Sequence, residues 1–107
     1  MPRRRRFAIT FAPETLTHLD VIERKHHRLI RQTIEEQLRF SPGHATRNRK
    51  TMEQPAPFGA TWELRFGPGN RFRVFYEFEL STRIVNVLAI GIKERSRLRI
   101  GGEEFEP

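Results

Sequence analysis

The sequence predicts an α+β domain: an N-terminal strand and a two-helix hairpin, then a three-stranded antiparallel meander with the helices packed on one face of the sheet. Three observations predict it. Apolar and polar residues alternate at Arg6–Ala12, apolar residues recur at helical spacing between Leu16 and Leu38, and three strand-like segments follow Phe58 in close succession. A chain of 107 residues is one domain, expected to span residues 1–107. That length supports one sheet and one helical layer around a single core.

The first strand, "RFAITFA", sets Phe7, Ile9 and Phe11 on one side. Pro13 suits the first turn of a helix, where its missing N–H costs nothing. Leu16, Leu19 and Ile22 follow at helical spacing, and "ERKHHR" interrupts them. A second stripe resumes with Leu29 or Ile30, Ile34 and Leu38, and "FSPGH" ends it. Two helices packed as a hairpin are expected, with one longer kinked helix as the alternative. His18, His26 and His27 fall in this half and read as surface residues. Residues 44–58, "HATRNRKTMEQPAPF", are polar and carry no periodicity, so they are expected to form a long loop. The meander comes next. Trp62, Leu64 and Phe66 share one face, as do Phe72, Val74, Tyr76 and Phe78, and "RIVNVLAIG" is the β-branched third strand. "GPGN" and "ST" are short enough to be hairpin turns.

Charge is unevenly spread. Lys and Arg number 20 against 13 acids, a formal net charge of +7, and the only lysines are Lys25, Lys50 and Lys93. A surface rich in guanidinium suits phosphate and so nucleic acid, although GC-rich codon usage also favours Arg over Lys. Residues 1–6 form a basic tail and residues 100–107 an acidic C-terminal segment. The chain lacks cysteine, which removes disulfides and thiolate metal sites and fits a cytoplasmic location. No apolar run approaches the roughly 20 residues that span a bilayer, and the start "MPRRRRF" has no apolar stretch of the secretory type. Phosphate-binding glycine loops, metal-ligand spacings and nucleophile elbows are all missing, so no cofactor or metal is expected.

The outward positions of the meander carry the chemistry. If Trp62, Leu64 and Phe66 point to the helices, Glu63 and Arg65 point away, together with Arg71, Arg73, Phe75, Glu77 and Glu79. Arg65 then falls opposite Arg73 or Arg71, and like charges so placed are destabilising by up to roughly 1 kcal/mol. Glu63 and Glu77 offset this diagonally in one reading; in the other, an anion sits over the arginines. Downstream, "GIKERSRLRIGG" brings Lys93, Arg95, Arg97 and Arg99 together, as one basic edge if it is extended. Asn86, Leu88 and Ile90 are expected on the same outward face, an apolar strip that needs a cover. A partner or the segment "LRIGGEEFE" would supply it.

The segments "WELRFGPGNRFRVFYEFE" and "VNVLAIGIKERSRL" resemble the RelE/ParE superfamily of toxins from bacterial type II toxin–antitoxin pairs, and the order of elements agrees from Phe7 to about Leu98. The resemblance implies a RelE-like fold. In the RelE branch it implies a ribosome-dependent mRNA endoribonuclease acting by 2′-hydroxyl attack without metal or cofactor. Arg65, Arg73 and Lys93 are similar in position to the cations that hold the scissile phosphate. Arg99 stands where many such nucleases have a tyrosine, six residues after Lys93, and Glu63 where they often have a lysine. Glu53 is the loop carboxylate in place to act as base, and His44 is another proton carrier to weigh. Arg49, Lys50, Arg71, Arg95 and Arg97 would grip RNA. In the ParE branch the target is DNA gyrase and no RNA is cut; an inactive basic RNA-associated domain is the remaining reading. Either toxin implies an acidic antitoxin encoded nearby, expected over Leu88 and Ile90.

Overall fold

The computed structural model describes residues 6–106, so the expected basic tail lies outside the described residues except for Arg6. Among them are seven strands and two helices: β1 (Ala8–Phe11), α1 (Glu14–Asp20), α2 (His27–Leu38), β2 (Arg49–Thr51), β3 (Trp62–Phe66), β4 (Phe72–Glu79), β5 (Ile84–Glu94), β6 (Arg97–Ile100) and β7 (Glu103–Glu104). The sheet runs β2-β3-β4-β5-β6-β7, antiparallel throughout. β5 is long enough to take two neighbours on its other edge, β1 in parallel over Ile84–Val87 and β6 over Gly91–Glu94. The class is α+β as expected, with three strands more than the pattern foretold.

The longer helix forms on one narrow apolar stripe. α2 buries Ile30, Ile34 and Leu38, one turn apart, against Leu64, Val74, Tyr76 and Val87 of the sheet. α1 is short. It places Glu14 in its first turn, where a carboxylate favours the helix dipole. It buries Thr15 and His18, and leaves Leu16 exposed. His27 joins the helices: its Nε2–H faces the carbonyls of Leu19 and Ile22 at 2.9 and 2.7 Å. Both carbonyls lie at the C-terminal end of α1, and Leu19 O also accepts the Ile22 N–H at 2.9 Å.

His27 and the other two helical histidines therefore depart from the expected surface role. His26 packs on the Phe72 ring at 5.1 Å. His18 is 5% exposed, and its Nδ1 accepts the Ile90 N–H at 3.2 Å. That amide points to the gap on the β5 edge between β1 and β6, where no strand reaches it.

Residues 44–58 are not a plain loop. Arg49–Thr51 pair with Trp62–Leu64, so Met52–Thr61 becomes the loop of a β2–β3 hairpin, closed by Met52 N–H to Thr61 O at 2.9 Å. Arg49 turns inward. It is 8% exposed, and its Nη1 donates to the Gln37 and Ser41 carbonyls, both at 2.6 Å, at the C-terminal end of α2. A cation at that end is also favoured by the helix dipole. Tyr76 donates its hydroxyl to Pro42 O at 2.7 Å nearby, and burial raises its pKa. The structure places Arg49, expected among the RNA-contacting residues, on the helix side of the sheet with its Nη1 committed to the Gln37 and Ser41 carbonyls, apart from the other basic residues of the outer face.

β5 does not keep one parity. The pairs Phe75↔Ala89 and Tyr76↔Val87 leave Leu88 as an extra residue, a β-bulge. Past it the faces exchange, so Ile90 joins the helix-side core at 1% exposure. Its expected outward placement is corrected. Beyond Gly91 the chain stays in the sheet and turns at Arg95–Ser96, both at positive φ (50° and 67°), into β6. A Cβ on Gly91 would stand 2.9 Å from Arg99 O, so only glycine lets β6 lie this close.

Two outcomes follow from these contacts. Arg49→Ala should destabilise the fold by about 2–3 kcal/mol in urea melts, the value of charge-assisted bonds to buried carbonyls, while Lys50→Ala stays within about 0.5 kcal/mol. Burial lowers the His18 pKa from its ordinary 6.5, with Glu14 opposing. The unfolded chain therefore binds this proton first. Its contribution to stability is complete above pH ~6.5 and is lost as pH falls through the folded value. Wild type should lose stability below pH 6.5 more steeply than His18→Asn in melts at stepped pH.

Candidate phosphate-binding cleft

Alternation along β3 and β4 sends Glu63, Arg65, Arg73 and Phe75 to the face away from the helices. The register sets Arg65 directly opposite Arg73, and Glu63 opposite Phe75. A second core covers this face. Phe75, Ala89, Ala60 and Ile100 are buried in it, with Met52, Leu88, Leu98 and Phe105 packed against them. The cover comes from two sides. The β2–β3 loop folds over from one edge, and β6, β7 and Phe105 fold over from the other, Phe105 N–H bonding Leu98 O at 2.9 Å. Of the two covers expected for the apolar strip, a partner or the chain's own C-terminal segment, the structure shows the second together with the β2–β3 loop, and Leu88 is half-buried there.

Between the two flaps lies a cleft of about 260 Å³. Glu63, Arg73 and Phe75 line it, with Met52, Pro55 and Pro57 on one side, Leu98 and Phe105 on the other, and Lys93 and Ser96 beside them. Glu63 is its hub. The carboxylate is 3% exposed; Oε1 accepts from Arg65 Nε at 2.6 Å, and Oε2 from Arg73 Nη1 at 3.3 Å. Lys50 Nζ stands 3.9 Å from Oε1. Arg73 is 7% exposed and anchors its Nε on Asn70 O at 2.8 Å. Burial lowers its pKa, Glu63 opposes that shift, and the neighbouring Arg65 adds to it. An arginine keeps its proton across the working range of pH regardless. Three cations pair with Glu63 and a fourth, Lys93, lines the same cleft, so one carboxylate leaves three positive charges in or beside a partly apolar cleft.

Of the residues singled out in the sequence, Arg65, Arg73 and Lys93 converge. Arg65, Arg73 and Gly91 form one row across three strands, and Lys93 lies one step along the same face. Lys50 joins them through Glu63. The others do not. Arg99 pairs with Ile92 and Arg97 with Glu94, on the helix side of β6, so the expected single basic edge is folded into a hairpin. With Arg95 and Glu94 they line a separate groove, where Arg97 pairs with Glu104 at 3.3 Å. The Arg71 guanidinium lies over the Phe72 ring at 5.3 Å, away from the cleft. Glu53 is exposed on the β2–β3 loop and is not among the residues lining the cleft; His44 lines a different groove with Phe78 and Leu80. Tyr76 sits in the helix-side core. Sequence reasoning treated Glu63 as a diagonal neighbour of the arginines rather than the centre of the site. The signal was present, because Glu63 and Arg65 are two residues apart and must share a face.

Among the described residues, no group of three or more His, Asp or Glu is placed to hold a metal ion, and no helix is long and apolar enough to cross a membrane. No protein-family model matches the chain, and no curated protein matches it.

Breaking the buried pair should be costly. Arg73→Ala leaves Glu63 with less compensation in an almost dry position and should destabilise by about 3–5 kcal/mol. The half-exposed Arg65, replaced by Ala, should cost about 1 kcal/mol. Equal losses in denaturant melts of the two variants would contradict the burial assigned to Arg73.

Proposed function

We propose that this protein is the toxin of a RelE-like toxin–antitoxin pair and that it cleaves mRNA on the ribosome without a cofactor. The observation that carries the reading is the opposed pair Arg65 and Arg73, both bonded to Glu63, with Arg73 lining the same cleft as Lys93. Two like charges are set side by side on one sheet face and only partly neutralised by Glu63. A phosphodiester is the ligand whose charge and geometry suit that arrangement, since guanidinium matches phosphate oxygens in a fork. The apolar side chains of Met52, Phe75, Leu98 and Phe105 suit a base or ribose next to that phosphate. In the proposed reaction the cations stabilise charge developing on the phosphoryl oxygens as the 2′-oxygen attacks. Loss of one such group typically slows a reaction by about 10²–10³-fold.

An acidic antitoxin would neutralise the basic chain. Its apolar side fits best at the groove lined by Phe11, Leu16, Leu19, Ile30 and Ile34, which Arg31 borders, rather than at Leu88 and Ile90. A second reading, inhibition of DNA gyrase by binding, is favoured by one observation: neither a tyrosine nor Arg99 lies in the cleft.

Primer extension on mRNA programmed into purified ribosomes tests the choice. Cleavage confined to the decoding site, slowed about 10²–10³-fold by Arg65→Ala or Lys93→Ala, is the expected result. Intact mRNA together with inhibited supercoiling would establish the gyrase reading instead.

A further inference from the structure

We propose that Glu63 is the proton acceptor of the cleft, taking the proton of the attacking 2′-hydroxyl; this inference rests on the RNA-cleavage reading. Three observations carry it. Glu63 is the one carboxylate among the described residues that line the cleft, whereas Glu53 stands outside it. Its position is fixed at both oxygens, by Arg65 Nε at 2.6 Å and Arg73 Nη1 at 3.3 Å. Those two bonds also leave acceptor capacity, because a carboxylate offers about four lone-pair sites.

Geometry then ties the carboxylate to the substrate. A phosphate gripped by Arg65 and Arg73 must lie next to Glu63, since both guanidinium groups already bond it. The 2′-hydroxyl that attacks this phosphorus is held within about 3–3.5 Å of it in a reactive conformer, and so falls within reach of the same carboxylate.

The step balances. The proton of the 2′-hydroxyl passes to a Glu63 Oε as the O2′–P bond forms. The P–O5′ bond breaks, and O5′ takes a proton from the Lys93 ammonium. The products are a 2′,3′-cyclic phosphate and a 5′-hydroxyl end.

A counter-ion that merely holds two arginines apart would also matter for activity, so the test needs a readout that such a role does not move. Single-turnover cleavage on programmed ribosomes is measured with the full chain from pH 6 to 8.5. Glu63→Gln should be about 10²–10⁴-fold slower. Its residual rate should rise close to tenfold per pH unit, because hydroxide replaces the lost acceptor, while wild type rises far less. A slowed Glu63→Gln whose profile runs parallel to wild type would overturn the assignment. So would a loss of the same size in Glu53→Gln, which should remain within about twofold of wild type. If Glu63→Gln does not fold by circular dichroism, Glu63→Asp keeps the charge and withdraws the carboxylate by one methylene. It should lose at least tenfold, and a rate equal to wild type would overturn the proposal. A wild-type protein that cuts no RNA would defeat the cleavage reading itself, whereas an active wild type with an unaltered Glu63→Gln profile would defeat this inference alone.

Discussion

Everything on the outer face depends on the Glu63 carboxylate lying between Arg65 and Arg73. The β3–β4 register forces the two guanidinium groups to face each other, and two cations that close repel strongly once water is largely excluded. One carboxylate that bonds both removes most of that cost and fixes both side chains. With Lys50 and Lys93 also present, the compensation is incomplete. A site left with surplus positive charge in a partly apolar cleft is poised for an anion rather than for a neutral ligand.

Two local devices let the rest of the fold build around this cluster. The bulge at Leu88 exchanges the faces of β5, so that Val85 and Val87 serve the helix-side core before it and Ile90 after it, while Ala89 joins Phe75 outside. One strand thus feeds two cores. The second device is the pair of flaps, the Met52–Thr61 loop and the segment from β6 to Phe105, which bury the outer apolar residues and leave the cleft between them. The helix side is held by polar anchors: Arg49 on the Gln37 and Ser41 carbonyls at the end of α2, His27 on the Leu19 and Ile22 carbonyls at the end of α1, and His18 on the Ile90 amide.

The meander and the apolar stripe of α2 were legible in the sequence because their positions in the core between helices and sheet are apolar at a clean period, Leu64 and Phe66, then Phe72, Val74 and Tyr76, then Ile30, Ile34 and Leu38. The elements that were not legible lack that period. β2 is three polar residues on an edge, recruited by pairing alone. β6 is hidden because its turn uses Arg95 and Ser96 at positive φ, where glycine or asparagine normally marks the bend. The bulge left no trace because β5 is apolar at both parities on either side of it. For the site, Arg65 and Arg73 followed from alternation, whereas Lys93 reaches their face only because the bulge at Leu88 exchanges the parity of β5. Arg99 did not follow, since which face a strand presents depends on where the preceding turn falls. Arg49 and Lys50 are adjacent and equally basic, and only pairing with Leu64 and Glu63 sends one inward and one to the cleft.

The most direct measurement is a structure of the protein on a ribosome programmed with mRNA that carries 2′-O-methyl groups in the decoding site, which blocks attack and traps the substrate. The account places one backbone phosphate within hydrogen-bond distance of Arg65 and Arg73, with the blocked 2′-oxygen against Glu63. A phosphate held instead by Arg95, Arg97 and Arg99 on the other face, with the cleft empty, would contradict it.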